Sequence, residues 1–329
     1  MSSLGIAVLG CGTVGSGVVW LLREQADRLA KRTGRRLELR HVTVRDAKKP
    51  RKFALPDDLV SSDIDRALSD SQVDVVVELI GGTSHAKDAV LGALAAGKHV
   101  VTANKALLAR HGDEIFTAAR AANRAIAFEA SVMGGVPVIS TINVGLAANQ
   151  ITRLEGIVNG TCNFILTEMT ERNRDYATAL AEAQRLGYAE ADPTLDVDGS
   201  DSADKLAILC RLAFGVSIHP DQIAKRGIQK VTTLDLNLAR KEGFAIKLIA
   251  EGRLEGDKVT TCVWPSEVPQ KSPLAQVRGA DNALQITSDV AVRTFVSGPG
   301  AGHSTASAVV ADLIDVAMGR AQLTFNALR

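Results

Sequence analysis

A short apolar run followed at once by a glycine-rich loop opens the chain. Residues 6–9 read IAVL, and Gly10, Gly12 and Gly15 follow with the spacing GxGxxG. The residues after this loop have an apolar pattern typical of a helix. A buried strand, a glycine loop and a helix in this order are typical of the first part of a parallel α/β sheet that binds a dinucleotide. The sequence therefore predicts a Rossmann domain at the amino-terminal end of the chain.

Each glycine of this loop has its own physical reason in such a site. The first permits a tight turn, the second lets the backbone approach a pyrophosphate, and the third lets the helix pack closely on the strand. The free N–H groups and the dipole at the start of the helix attract phosphate. The alternative is a glycine-rich turn in another kind of α/β protein. We predict that the loop binds the cofactor through Gly10, Cys11, Gly12, Thr13, Val14 and Gly15.

Four more parallel strands are predicted at residues 37–44, 73–80, 99–102 and 125–130, because these runs are apolar and short. Ligands of open parallel sheets bind outside the carboxyl ends of the strands. Thr83 and Lys105 each follow one of these strands, so both are predicted to lie near the cofactor. Thr83 and Ser84 are also predicted to cap the next helix. The alternative for Lys105 is an ordinary surface lysine.

The residue after the second predicted strand bears on the choice of cofactor. An NAD-specific site has an acid there for the ribose 2′-hydroxyl, whereas this chain has Arg45 followed by Lys48, Lys49 and Arg51, with Asp46 beside Arg45. A guanidinium group can bind a 2′-phosphate through two hydrogen bonds. We therefore predict a preference for NADP(H), with NAD(H) also usable. A solvated basic loop is the alternative.

The segment after the fifth predicted strand combines a carboxylate with irregular backbone. Glu129 is followed by Gly134, Gly135 and Pro137, which leave main-chain carbonyl groups outside any strand ladder. Carbonyl and carboxylate oxygens together can bind a hard cation, and a hinge without an ion is the alternative. We place the domain boundary here. The Rossmann domain is predicted at residues 1–130, with residues from about 303 to 329 returning to it, and a second domain at residues 131–302.

An acidic segment, GYAEADPTLDVDGSDSADK at residues 187–205, stands in the second predicted domain. It contains six carboxylates and ends at Lys205: Glu190, Asp192, Asp196, Asp198, Asp201 and Asp204. Ser200 or Asp198 is predicted to cap the helix that follows. Asp201 and Lys205 are four residues apart at its start, so they share one face. The segment could bind an ammonium group beside a proton donor. Taken alone, it could equally be a solvated loop with a surface ion pair.

A second helix start in this domain could bind the other end of a zwitterion. Gly160 and Thr161 follow a predicted strand at residues 151–158 and open a helix. Backbone N–H groups and a hydroxyl at such a position can bind a carboxylate. The alternative is that Thr161 only caps the helix. Near the end of the chain, Gly298, Gly300 and Gly302 form another glycine loop before a helix, which is predicted to return to the first domain and cover the cofactor. The alternative is a plain loop.

Composition excludes several other classes of function. The 329 residues suggest about two domains, and 38 basic against 37 acidic residues leave no electrostatic footprint of a nucleic-acid-binding protein. No apolar run is long enough to span a bilayer. The four cysteines are scattered, which argues against a zinc site or a disulfide framework and favours a reducing compartment. We expect a soluble cytoplasmic protein that binds neither nucleic acid nor membrane.

The ordered set of motifs resembles homoserine dehydrogenase over almost the whole chain. The motifs are GxGxxG at residues 10–15, TANK at 102–105, VMGGVP at 132–137, GTCN at 160–163, GYAEADP at 187–193, DGSDSADK at 198–205 and GPGAG at 298–302. The resemblance implies an α/β fold, with an N-terminal Rossmann domain and a second α/β (α+β) domain for substrate binding and dimerisation. It also implies a homodimer and the NAD(P)H-dependent interconversion of L-aspartate 4-semialdehyde and L-homoserine in threonine and methionine biosynthesis.

The resemblance further implies roles for single residues. Lys105 and Lys205 would flank the reacting carbonyl group, with Asp201 beside Lys205. The substrate would contact Glu190, Asp196, Gly160 and Thr161. A sodium ion would be bound by Glu129 and by the main-chain carbonyl groups of Val132, Gly134 and Val136. Gly300 would contact the cofactor.

Many family members carry an additional C-terminal regulatory ACT domain, and this sequence stops about where the catalytic part ends. We therefore expect no inhibition by threonine through such a domain. Two alternatives to the main interpretation are another two-domain NAD(P)-dependent amino-acid or sugar dehydrogenase and a nonenzymatic NAD(P)-sensing module. Neither requires an acidic segment joined to Asp201 and Lys205.

Overall fold

The computed structural model describes residues 2–47 and 55–328, which form two compact units. The first unit contains Met1–Gly135 and Gly302–Leu328, and the second contains Val136–Ala301. Lys48, Lys49 and Arg51, three of the basic residues considered for the cofactor, lie outside the described residues.

The first unit is built on a six-stranded, fully parallel sheet. Its strands are β1 (Ser3–Leu9), β2 (Arg36–Thr43), β3 (Val60–Ser61), β4 (Val75–Glu78), β5 (His99–Thr102) and β6 (Ile126–Ala127). The strand order is β3-β2-β1-β4-β5-β6, the order of a Rossmann sheet, which reverses between β1 and β4. The predicted α/β fold with a Rossmann domain is confirmed.

Five helices of this unit lie between these strands in the sequence. They are α1 (Thr13–Glu24), α2 (Ala26–Thr33), α3 (Ile64–Ser69), α4 (Ser84–Ala95) and α5 (Lys105–Ala121). The central strands are mostly apolar because parallel sheets are covered on both faces, and Ile6, Val76 and Val100 are fully buried. The strand predicted at residues 125–130 is shorter than expected, because Glu129–Ser131 forms a 3-10 turn directly after it.

The second unit has a mixed sheet in the order β12-β11-β7-β9-β10-β8. Its strands are β7 (Ile151–Ile157), β8 (Ala224–Lys225), β9 (Phe244–Glu255), β10 (Lys258–Pro269), β11 (Asp281–Ser288) and β12 (Arg293–Pro299). Neighbouring strands are antiparallel except β8, which pairs with β10 in parallel.

Helices and strands are mixed in the second unit. The helices are α6 (Val138–Ser140), α7 (Gly160–Arg172), α8 (Tyr176–Arg185), α9 (Thr194–Val197), α10 (Ser200–Phe214) and α11 (Thr233–Lys241). Helix α10 lies close to β9 at Gly252, where an added Cβ would come within 2.9 Å of the Cys210 sulfur and 3.2 Å of the Phe214 ring. This contact fixes the distance between α10 and the sheet.

The chain then returns to the first unit as α12 (His303–Ala317) and α13 (Arg320–Ala327). Helix α12 packs on α1, and a Cβ added at Gly17 would lie 2.8 Å from the Cβ of Ala306. The Phe325 ring of α13 lies 5.8 Å from that of Phe116 in α5. None of the helices in the described part of the chain has both the length and the apolarity needed to cross a bilayer.

Candidate active site

The glycine loop between β1 and α1 is shaped by close backbone contacts. Gly10 has a φ of +99°, and a Cβ there would lie 2.5 Å from the carbonyl oxygen of Leu79. A Cβ on Gly15 would lie 2.1 Å from the carbonyl oxygen of Gly10, whereas one on Gly12 would meet nothing within 4 Å. Gly10 and Gly15 therefore serve the turn and the packing of α1, and the open side of the loop is at Gly12.

A cavity of about 740 Å³ adjoins this loop, and all of its lining residues belong to the first unit. Gly12 and Thr13 line it at the start of α1, which has no side-chain cap. The first N–H groups of a helix lack intrahelical partners, and such a helix start suits a phosphate group.

The carboxyl end of β2 forms another wall of this cavity. Arg45 lines the cavity and is exposed, with Asp46 beside it. Thr43 also lines the cavity, and its buried hydroxyl has no hydrogen-bond partner within the described ranges. A buried polar atom without a partner is costly in a finished core, so this hydroxyl is consistent with a polar ligand here. The residues present fit a bound dinucleotide.

A buried carboxylate joins the carboxyl ends of β4 and β5. Glu78 is fully buried; its Oε2 accepts a hydrogen bond from the Thr102 hydroxyl (2.6 Å), and its Oε1 accepts one from the Ile80 N–H (2.8 Å). The Nδ2 of Asn104 donates to the Gly82 carbonyl at 2.7 Å. Sequence reasoning gave Glu78 and Asn104 no role. A single acidic residue within an apolar run was the available signal for Glu78.

Thr83 and Lys105 lie next to this network in the chain. Thr83 occupies the cap position of α4, but no side-chain hydrogen bond caps the helix, so the predicted hydroxyl cap is wrong. Lys105 is the first residue of α5 and is half-buried. Helix α5 is capped by Asn104, whose Oδ1 accepts a hydrogen bond from the N–H of the third residue of the helix.

The segment predicted to bind sodium packs against a buried carboxylate of helix α12. Glu129 is 8% exposed, and its backbone N–H donates to Oδ2 of Asp312 at 2.9 Å. Burial, and next the charge of Glu129, raises the pKa of Asp312 well above its usual value. Met133 and Gly134 have left-handed φ values of 58° and 56°.

These groups provide only part of a cation site. Main-chain carbonyl groups beside buried carboxylates are the oxygen ligands that hard cations prefer, so Glu129, Val132 and Gly134 fit a sodium ion. In the described part of the chain no group of three acidic, histidine or cysteine side chains could bind a metal. Val136, the fourth predicted ligand, is the first residue of the second unit.

In the second unit, Lys205 is held away from solvent by two hydrogen bonds. Its Nζ donates to Oδ2 of Asp201 at 2.7 Å and to the carbonyl oxygen of Val158 at 2.7 Å. The side chains of Lys205 and Asp201 are 12% and 6% exposed. The interpretation of this pair as an ordinary surface ion pair is therefore wrong, because both partners are largely buried.

Asn159 connects the same pair to a second acid. Its Nδ2 donates to Oδ1 of Asp196 at 2.8 Å and to Oδ2 of Asp201 at 2.7 Å. Its Oδ1 accepts the N–H of Cys162 at 2.8 Å and so caps α7. Sequence reasoning gave Asn159 no role in the site. Its acidic partners are 37 and 42 residues further along the chain.

The environment of this cluster is negative. Cys162 is fully buried, and its sulfur donates to the carbonyl oxygen of Asp196 at 3.3 Å. Burial, followed by the charges of Asp196 and Asp201, raises the pKa of the Cys162 thiol well above its usual value. An ammonium group would be stabilised in such a place.

The other predicted substrate residues surround the start of α7 and the segment before α9. Gly160 follows the cap residue, and a Cβ there would lie 2.4 Å from the Ala280 carbonyl oxygen. The buried Thr161 hydroxyl donates to the Tyr188 carbonyl oxygen at 2.6 Å, so the alternative that Thr161 is the helix cap is wrong. Glu190 is exposed, and its side chain is available to a ligand.

The start of α10 differs from the prediction. Gly199 occupies the cap position with a φ of +90°, and no side chain caps the helix, so the predicted cap by Ser200 or Asp198 is wrong. Instead, the Asp198 carboxylate accepts the Ser200 N–H at 2.7 Å and the Ser200 hydroxyl at 3.0 Å. The left-handed glycine turns the chain so that these two side chains bond to each other.

Gly300, predicted to contact the cofactor, lies in the second unit after β12. A Cβ there would lie 2.4 Å from the side-chain nitrogen of Asn282. That nitrogen donates to the Val158 carbonyl oxygen at 3.4 Å, which is the same oxygen that accepts from Lys205. Asn282 is 1% exposed.

The geometry of the first unit identifies the chain as a dinucleotide-binding α/β protein. A Rossmann strand order, a glycine loop and the adjoining cavity define it. A partly buried lysine bonded to a carboxylate in the second unit adds a group capable of proton transfer.

Known proteins make the class specific. The family described as "Homoserine dehydrogenase, NAD binding domain" matches residues 10–129, and the family described as "Homoserine dehydrogenase" matches residues 137–314. The homoserine dehydrogenase of Pseudomonas aeruginosa is 45% identical over 318 residues, covering 96% of this chain and 73% of that protein. The chain belongs to the homoserine dehydrogenase family, whose members are NAD(P)-dependent oxidoreductases acting on a CH–OH group.

Solved structures agree with this assignment. The crystal structure of a homoserine dehydrogenase from Thiobacillus denitrificans has a TM-score of 0.91 at 41% identity, covering 97% of this chain and 74% of that chain. A hyperthermophilic archaeal homoserine dehydrogenase in complex with NADPH has a TM-score of 0.76 at 26% identity, covering 95% of this chain and 97% of that chain. The family predicted from the motifs is confirmed.

Proposed function

We propose that this protein catalyses the reversible NAD(P)H-dependent reduction of L-aspartate 4-semialdehyde to L-homoserine in threonine and methionine biosynthesis. The observation that carries the proposal is the partly buried Lys205, with its Nζ 2.7 Å from both Asp201 Oδ2 and the Val158 carbonyl oxygen. An ammonium group has three N–H donors, so two are used to orient it. The third is left for a substrate oxygen.

The substrate is a zwitterion, and the second unit offers groups for both of its charges. Asp196 and the exposed Glu190 provide anions for the substrate ammonium. The start of α7, with the N–H groups of Gly160 and Thr161, provides donors for the substrate carboxylate. The Thr161 hydroxyl oxygen can also accept a hydrogen bond while it donates to the Tyr188 carbonyl.

The bound nicotinamide cofactor supplies the hydride. As the aldehyde is reduced, negative charge develops on its oxygen, and a nearby cation stabilises this charge. Lys205 then donates a proton to the oxygen, and the adjacent Asp201 carboxylate stabilises the charged ammonium before transfer. Oxidation of homoserine runs the same transfer in reverse and releases a proton, so alkaline pH should favour that direction. Lys105 is a second candidate for a role at the reacting oxygen.

The first unit would hold the cofactor through Gly10, Cys11, Gly12, Thr13, Val14 and Gly15 and through Thr83, and Gly300 is proposed as a cofactor contact only on the resemblance to the family. Arg45, at the wall of the 740 Å³ cavity, is suited to a 2′-phosphate and supports a preference for NADP(H) over NAD(H). The complex of an archaeal relative with NADPH is consistent with this preference.

A sodium ion bound to Glu129 and to the carbonyl groups of Val132 and Gly134 completes the proposal for the first unit, with Val136 retained as a predicted ligand. The buried Glu129–Asp312 contact supports it, because a cation would offset the charge gathered there. A homodimer and a cytoplasmic location are proposed on the resemblance to the family.

The test is a spectrophotometric assay of NADPH oxidation with L-aspartate 4-semialdehyde, which should give homoserine as the product. Activity only with other amino-acid or sugar aldehydes would assign the protein to a different dehydrogenase reaction. NADPH binding without oxidation of NADPH in the presence of any aldehyde would favour a sensing module.

A further inference from the structure

Asn159 uses every hydrogen-bonding group of its side chain. One hydrogen of its amide goes to Asp196 Oδ1 (2.8 Å), the other goes to Asp201 Oδ2 (2.7 Å), and its oxygen accepts the Cys162 N–H (2.8 Å). The residue is 4% exposed. Because the oxygen must accept from a backbone N–H, the orientation of the amide is fixed, and the NH₂ group can only face the two acids.

The carboxylate oxygen of Asp201 that receives this bond also receives the Lys205 ammonium. Asp196, Asn159, Asp201 and Lys205 therefore form one continuous chain of hydrogen bonds. Two carboxylates held this close repel each other, and a neutral amide that donates to both offsets the repulsion without adding a charge. Lys205 donates to the same oxygen, so removal of the amide leaves that hydrogen bond in place.

We propose that Asn159 is a positioning residue that fixes the substrate-binding acid Asp196 and the Asp201–Lys205 pair in one geometry. This inference rests on the function proposed above. The acid that binds the substrate ammonium and the group that moves the proton are then set by a single amide. Loss of that amide affects substrate affinity and turnover together and leaves cofactor affinity unchanged.

Capping of α7 is the competing role for this residue, and it uses a different atom. The cap is made by Oδ1, whereas both bonds to the acids are made by Nδ2. Aspartate and serine are both good cap residues, so Asn159→Asp and Asn159→Ser keep a capping oxygen while removing the amide donors. Each variant separates the two roles.

In steady-state assays with aspartate semialdehyde, Asn159→Ser should lower kcat/KM by about 10- to 100-fold, as expected for lost hydrogen bonds to charged groups. Both a higher KM and a lower kcat should contribute, and the KM for NADPH should stay within about twofold of the wild type. A loss of thermal stability with unchanged kinetics would overturn the proposal and leave Asn159 as a cap.

Asn159→Asp adds a distinct pH signature. Its new carboxyl group would stand between two carboxylates, which favour its protonated form. Once protonated, it can donate one hydrogen bond, so its activity relative to wild type should rise as the pH falls. Asn159→Ser has no such group and should show no such recovery. Parallel pH profiles for the two variants would contradict the proposed bridge.

Two controls isolate the effect. Asp175→Ala removes the cap of α8 in the same unit, where the aspartate accepts the Thr178 N–H, and should change stability but not kinetics. In the Asp196→Asn background, Asn159→Ser should raise KM less than it does alone, because residues in one network are not additive. Fully additive effects would contradict the coupling.

A measurement without substrate separates this inference from the proposed function. Trace acetylation of lysines, read by mass spectrometry, compares Lys205 with the exposed Lys230. In Asn159→Ser, Asp201 loses one of its donors and its hydrogen bond with Lys205 should tighten, so Lys205 should be acetylated more slowly relative to Lys230 than in wild type. Equal relative rates in wild type and variant would refute the positioning role, whatever substrate the enzyme proves to use.

Discussion

Each unit contains a helix that is capped by an asparagine, but the amide group of that asparagine has different partners in the two units. Asn104 follows β5 and caps α5, and Asn159 follows β7 and caps α7. In both, the side-chain oxygen accepts an N–H of the first helical turn, at 3.1 Å from Leu107 N and 2.8 Å from Cys162 N. The amide NH₂ group is then directed to another part of the same unit.

The partners of that NH₂ group differ. Asn104 donates to the Gly82 carbonyl at 2.7 Å and to Glu78 at 3.5 Å, whereas Asn159 donates to two carboxylates. The first asparagine ties together two loops at the end of the parallel sheet. The second gathers charged groups around Lys205. A cap position is a local property, but the role of the capping residue depends on distant parts of the chain.

The largest expected effect is in the second unit. Lys205→Ala should lower kcat by about 10²–10⁴, the range for loss of a positioned acid, while the dissociation constant for NADPH stays within about twofold. Stopped-flow kinetics and fluorescence titration would measure the two quantities. Lys230→Ala, at an exposed lysine of the same unit, is the matched control. Turnover close to wild type in Lys205→Ala would remove the charged cluster from catalysis.

In the first unit the expected effect is on stability. Glu78→Ala should lower the free energy of unfolding by about 3 kcal/mol, because it leaves the Thr102 hydroxyl and the Ile80 N–H buried without their acceptor. Denaturant titration would show the change. Glu114→Ala, which breaks only an exposed pair with Lys87, should cost less than about 1 kcal/mol. Equal costs would mean that the Glu78 network does not support the sheet ends.

Each unit also contains a buried lysine, Lys98 in the first and Lys247 in the second. The two lysines have different neighbours. Lys98 donates to the carbonyls of Asp70 and Val73, and its pKa is lowered by burial while Asp70 and Asp74 oppose the shift. Lys247 donates to Asn163 and to the Val277 carbonyl, and burial lowers its pKa from 10.5 to about 8.

The shift at Lys247 predicts a pH dependence of stability. Between about pH 8 and pH 10.5 the unfolded chain holds this proton and the folded chain does not, so the contribution to stability rises with pH, by at most about 3 kcal/mol. Unfolding by denaturant at several pH values would show a smaller rise in Lys247→Met than in wild type. If Lys98→Met reduced the rise of stability with pH by the same amount, the two lysines would not differ in their contribution.

The smallest expected effect concerns the choice of cofactor. Arg45→Ala should weaken NADPH binding by about tenfold and NADH binding by less than about twofold, since only NADPH carries the 2′-phosphate. Titration of both cofactors would show this, and Arg28→Ala, an exposed arginine of the same unit, should change neither. Equal losses for both cofactors would make Arg45 part of a solvated basic loop.

Much of the first unit could be predicted because its signals are local. Short apolar runs and the glycines at residues 10, 12 and 15 predict β1, β4 and β5 and the loop before α1. Glu78 was hidden by the apolar run that contains it. Its burial depends on donors brought by β5, and a strand pattern does not show them.

In the second unit, the pairing of Asp201 with Lys205 was predictable because four residues separate them on one helix. The bridge made by Asn159 was not, because its acceptors come from two later helices. The cap of α10 was wrongly predicted for a related reason. Polar residues at positions 198 and 200 favour a cap, but the left-handed Gly199 lets them bond to each other.

The crowded contact at Gly300 has a mechanical consequence. Asn282 fills the space that a side chain at position 300 would need, and it shares the Val158 carbonyl with Lys205. A larger residue at position 300 would therefore push this amide away and disturb its bond to the carbonyl oxygen that also accepts from Lys205. The last glycine loop and the Lys205 ammonium group are therefore coupled through the Val158 carbonyl group.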